Sequence, residues 1–120
     1  MLKELVVSLL TITALVATAF AMEPDALDAD PDHYTLEFEN DYVRIIRIKY
    51  GPGEASIMHS HGPSVAVALS EAHFSMTLPD GTVLDEMQAV GNATWADAGD
   101  HLPANLGDQA AEVVLIELKE

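Results

Sequence analysis

From about residue 35 onward, apolar and polar positions alternate in short runs, and no run keeps a 3.6-residue rhythm long enough to make a helix. Residues 35–39 predict a short strand, and Asn40-Asp41 a turn. Residues 42–50, rich in β-branched and aromatic side chains, predict a strong strand. Its alternation slips at Ile45-Ile46, which predicts a bulge there. Gly51-Pro52-Gly53 turns the chain into a strand over residues 55–60, and Gly62-Pro63 breaks it. Residues 65–69 are almost continuously apolar and are expected to be buried on both faces. An alternating strand follows at 73–78. Pro79-Asp80-Gly81-Thr82 then marks a tight hairpin into residues 83–87. Gly91-Asn92 leads into 93–96, Ala98-Gly99-Asp100 into a strand carrying His101, and the turn 105–108 into a last strand at 113–118. Eight or nine short strands with glycine-marked turns predict one all-β domain, a sandwich or barrel.

The first 34 residues follow different patterns. Lys3 and Glu4 precede an apolar run from Leu5 to Ala17, and Ala19-Phe20-Ala21 ends it just before acidic sequence begins. The small-x-small ending predicts a secretory signal peptide over 1–21, cleaved after Ala21, with Glu4 an unusual acid in its n-region. A retained membrane anchor is the alternative, since the run approaches the ~20 residues that span a bilayer. Residues 22–34 are rich in Asp, Pro and Ala without apolar periodicity, and are expected to form a flexible acidic leader. Asp28, Asp30 and Asp32 have the spacing of a calcium loop, but His33 stands where such a loop needs glycine. A solvated tail is the better reading.

Charge narrows the partners. Without Lys3 and Glu4 the chain keeps four basic residues against nineteen acidic ones. That balance argues against nucleic acid and anionic lipid, both of which need a cationic surface. The expected compartment is periplasmic or extracellular, with no stable membrane insertion once the signal is removed. The chain has no cysteine, so neither disulfides nor a lipoprotein anchor are available.

Five histidines remain to be explained. His59 and His61 are spaced so that both imidazoles project from one face of a strand. His101 arrives from a distant strand and can complete a triangle. Neutral imidazole suits zinc, copper, iron and nickel. His33 and His73 lie at a leader end and beside a turn, and are expected to face solvent. Met58, Met76, Phe74 and Trp95 are expected to line the interior, while Asp97, Asp100 and Glu54 suit turns for backbone reasons. No nucleophile elbow or phosphate-binding glycine loop is present.

These segments resemble the cupin family of small jelly-roll barrels. Gly53, His59 and His61 match the family's first motif in spacing; its glutamate falls on Val65 or Ala66, and its closing glycine near Ala72. Gly91, Gly99, His101 and Asn105 match the second motif, with Asp97 where proline is usual. The resemblance implies a cupin-type jelly-roll β-barrel over 35–120. It places His59, His61 and His101 at the barrel mouth as ligands of one divalent transition metal, whether iron, zinc, manganese, nickel or copper. Some cupin-like thiol dioxygenases use three histidines without the glutamate. The family's activities are diverse, so the fold does not name a reaction. The readings left open are a metal-dependent oxygenase, isomerase or lyase acting on a small molecule; a non-catalytic module binding a small-molecule ligand or a metal; and a metal-free dimeric barrel whose role is dimerisation. A homodimer is compatible with each.

Overall fold

The computed structural model describes residues 23–120. The signal peptide expected over 1–21, and its cleavage point, lie outside the described residues. A single helical turn, α1 (Ala26–Ala29), precedes nine strands: β1 (Tyr34–Glu39), β2 (Val43–Tyr50), β3 (His59–His61), β4 (Ser64–Ala68), β5 (Ala72–Thr77), β6 (Val83–Gln88), β7 (Ala93–Ala96), β8 (Gly99–Asn105) and β9 (Ala111–Leu118). They form a five-stranded sheet ordered β1-β2-β9-β4-β7 and a four-stranded sheet ordered β3-β8-β5-β6. Every pairing between these strands is antiparallel, and the chain crosses repeatedly between the two sheets. This is a jelly roll: the strand pattern predicts a sandwich or barrel, and the cupin resemblance implies this form of it.

The core follows from period-two alternation on the two longest strands. Ile46, Ile48 and Tyr50 point inward from β2, and Ala111, Val113 and Leu115 do so from β9. They meet Phe74 of the other sheet, while Tyr34 closes one side. The hairpin at 79–82 forms as expected. Gly81 takes a left-handed φ of 87°, open to glycine, and the Asp80 carboxylate accepts from the Thr82 amide.

Three expectations need correction. The bulge is not in β2, which pairs with β9 without interruption. It lies in the neighbouring strand: Leu36 faces Ile46 and Phe38 faces Ile45, so Glu37 is the extra residue. The sequence slip at Ile45-Ile46 marked the place but not the strand. Residues 65–69 are not buried on both faces either. Ser64 and Ala68 are buried, Val65 to Val67 are half-buried, and Leu69 is 40 % exposed. The reason is that a two-layer sandwich has no third layer to cover the outer face of β4.

The leader is the third correction. Residues 25–34 are packed against the domain instead of standing free. The Asp25 side chain caps α1 by accepting from the Leu27 amide. Ala26 is buried in the core cluster with Leu27 beside it, and the Ser60 amide donates to the Pro24 carbonyl. Acidic composition hid this, because the anchoring acids are paired. Asp25 bonds Arg44, and Asp30 bonds His33 and Ser56. A mobile tail would tolerate Ala26→Asp at almost no cost. We expect the substitution to lower stability by about 1–3 kcal/mol, the penalty of a buried unpaired polar group, read as a lower urea midpoint.

Candidate metal centre

The β3–β8 ladder sets the site. His59 pairs directly with His101, and His61 pairs with Gly99. All three imidazoles therefore come from one corner of the four-stranded sheet. The His59 and His101 ring centroids are 4.9 Å apart, and those of His61 and His101 are 4.5 Å apart.

Two of the rings are oriented by their neighbours. His59 Nδ1 lies 2.8 Å from the Ile57 carbonyl, and His61 Nδ1 lies 3.0 Å from the Gly62 carbonyl. A carbonyl only accepts, so each Nδ1 carries the hydrogen and each Nε2 keeps its lone pair. His59 is fully buried, and its Nε2 has no hydrogen-bond partner. An orphaned buried acceptor of this kind asks for a ligand. Histidines that bind metals commonly donate their second ring hydrogen to a carbonyl or carboxylate in this way.

A polar chain runs from His59 toward the surface. Ser56 Oγ lies 3.2 Å from His59 Nδ1 and donates to Asp30 at 2.6 Å. Asp30 accepts from His33 at 2.8 Å, and His33 Nε2 reaches Glu54 at 3.3 Å. Tyr34 meets the His59 ring edge-on and shares a 2.6 Å hydrogen bond with Tyr50. His33 thus corrects the expectation of a solvent-facing residue. Its side chain is 14 % exposed and stacks on Tyr50. His73 is more open and pairs with Asp85 on the adjoining strand.

Burial dominates the electrostatics. It lowers the His59 pKa, and the neighbouring His61 charge adds to the effect. Burial, followed by the charges of His61 and His59, lowers that of His101 to about 3. Both imidazoles are held in the neutral form that a metal needs. At His33 burial works against protonation, but Asp30 and Glu54 outweigh it and raise the pKa. Burial lifts the Tyr50 phenol to about 12 and that of Tyr34 well above its usual value, so both stay neutral hydroxyls.

A cavity of about 870 Å³ opens beside the histidines, bordered by His61, His101, Tyr50, Phe74, Met76 and Trp95. Met58, expected to line the interior, does not border it. Ala66 does, while Val65 does not. Ala66 is therefore the place from which a first-motif glutamate would have reached the histidines. Asp97 and Asp100 border the cavity too, and the Asp97 carboxylate accepts from the Trp95 indole. Glu54 instead accepts from the Gly51 amide within its own turn. Asn105 is a staple. It is buried, it donates to the Gly51 and Gln109 carbonyls, and it accepts from the Gly107 amide.

The three rings are adjacent without being converged. Among the described residues, no three His, Cys, Asp or Glu side chains stand ready to hold a metal ion. The donor chemistry nevertheless fits a metal: Nε2 lone pairs are presented by His59 and His61, and the third ring is packed against both. Sequence reasoning overlooked Asp30, Ser56, Arg44 and Glu117. The last two had a legible signal, each being a charge at an inward position of a strand whose other inward positions are apolar.

No protein-family model matches the chain, and no curated protein matches it by sequence. Solved structures do match. A cupin domain from Bordetella pertussis Tohama I is 22 % identical with a TM-score of 0.68, over 72 % of this chain and 92 % of that one. An RmlC-like cupin with a double-stranded β-helix fold, from Methanocaldococcus jannaschii, is 16 % identical with a TM-score of 0.55, over 74 % and 83 %. A conserved protein with a double-stranded β-helix domain from Klebsiella pneumoniae is likewise 16 % identical with a TM-score of 0.55, over 72 % and 73 %. Strand order, register and these likenesses agree: the chain is a small cupin-fold domain.

Proposed function

We propose that this domain holds one divalent transition metal through the Nε2 atoms of His59, His61 and His101, beside a cavity that admits a small molecule. The observation that carries the reading is the buried His59 Nε2, a neutral lone pair without a partner. His59 and His101 are fixed opposite one another in the same ladder as His61, so side-chain rotation is the motion that would draw the donors together. A bound metal would act as a Lewis acid toward an oxygen-bearing ligand. The protein's part is to keep the His59 and His101 imidazoles neutral, to orient two of the three rings through backbone carbonyls, and to wall the ligand with Tyr50, Phe74, Met76 and Trp95. An oxygenase, isomerase or lyase reaction is the catalytic form of this reading. Export to the periplasm or beyond is part of the proposal and rests on the first 21 residues; homodimerisation rests on the family resemblance.

A second reading, a metal-free small-ligand module, is favoured by the unconverged rings. Elemental analysis separates the two. Protein purified without a chelating tag and offered each metal should retain close to one equivalent of at least one of them. Retention below about a tenth of an equivalent of every metal would favour the metal-free module.

A further inference from the structure

We propose that Glu117 supplies, from the last strand, the carboxylate ligand absent at Ala66. The inference rests on the metal reading above and assigns that site a fourth donor. Glu117 continues the inward row of Ala111, Val113 and Leu115 on β9, yet it is charged and only 8 % exposed. Its register sets it opposite Arg44 on β2 and Ser64 on β4. Ser64 lies one inward step along β4 from Ala66, so Glu117 projects from the neighbouring strand close to the vacated position.

The two carboxylate oxygens are in different situations. Oε1 accepts from Arg44 Nε at 3.0 Å and Nη2 at 2.8 Å. Oε2 is buried with no partner. Arg44 is also held by Asp25 at 2.7 Å, so two carboxylates share one guanidinium and negative charge is left over. A buried carboxylate oxygen with neither hydrogen bond nor full charge balance is expensive unless a cation meets it.

Position links this carboxylate to His61, the one of the three histidines that borders the same cleft. Glu117, His61, Gly62 and Asp100 border one cleft of about 880 Å³ at this end of the domain. A Cβ on Gly62 would stand 3.3 Å from Glu117 Cγ and 3.4 Å from Cδ. The bare glycine after His61 lets the carboxylate lie against that backbone. An anionic donor would strengthen a site that otherwise has only neutral ligands.

Calorimetric titration with Co²⁺, combined with visible absorption of the bound cobalt, tests the assignment on the unsubstituted protein and on Glu117→Gln. The variant should bind at least about tenfold more weakly, with a changed cobalt spectrum. Adding Ala66→Glu to Glu117→Gln should restore the affinity. Binding by the unsubstituted protein together with unchanged affinity and spectrum in Glu117→Gln overturns the assignment alone. No cobalt binding by the unsubstituted protein overturns the metal reading beneath it. Should Glu117→Gln fail to fold, Arg44→Met answers instead. Metal should then raise its melting temperature more than that of the unsubstituted protein, and an equal rise overturns the assignment.

Discussion

Alanine at any one of His59, His61 or His101 is expected to weaken metal binding at least about a hundredfold, because each removes one of three imidazole donors. Equilibrium dialysis against zinc or cobalt reads the loss. His73→Ala is the matched control: His73 is also a strand histidine with a carboxylate neighbour, but it pairs with Asp85 away from the ladder that joins the other three. It should retain metal fully. His33→Ala should also retain a site, since His33 touches Asp30 and Glu54 and not the proposed ligands. Loss confined to the three histidines would locate the centre; equal loss in all five variants would point to general destabilisation.

Acid should unfold the metal-free protein over a defined window. The unfolded chain binds a proton on each histidine near pH 6.5, whereas folded His101 resists protonation until about pH 3. Above pH 6.5 both states are neutral at this residue and it contributes no pH dependence. Below it, the unfolded state gains protons that the folded state refuses, so stability falls as pH drops from 6.5 toward 3. One withheld proton costs about 1.4 kcal/mol per pH unit, which makes the loss a few kcal/mol across that range. His59, whose pKa is also lowered, acts in the same direction. His33 acts oppositely: its raised pKa gives stability below 6.5 that disappears as pH rises through its folded value. Urea midpoints between pH 7 and pH 4 measure the sum. His101→Gln should flatten the slope, and a midpoint that does not fall with acid would contradict the burial of these rings.

Much of this architecture was legible in the chain because the cues are local. Alternating β-branched residues gave β2 and β9, glycine and proline gave the turns, and the His-x-His spacing put two imidazoles on one face. What escaped depended on pairings that cross the molecule. The leader looked mobile because its acids suggested solvation, but Arg44 holds Asp25, and His33 and Ser56 both hold Asp30. The bulge was visible from β2 as a broken alternation, while the extra residue lies in β1, and only strand pairing tells the two apart. Asn105 matched a motif position, yet its side chain secures two turns and does not border the cavity with His101. Glu117 was readable as an inward charge among apolar neighbours, but its relation to Ala66 needs the register of β4 against β9.

The central claim is that one metal ion sits on these three imidazoles. A crystal of the protein soaked with zinc or cobalt, with anomalous scattering recorded at the metal edge, tests it most directly. The account predicts a single strong peak about 2.0–2.1 Å from the Nε2 atoms of His59, His61 and His101, the usual metal–imidazole distance. A peak elsewhere, on the acidic surface for instance, or no ordered peak at saturating metal, would contradict it.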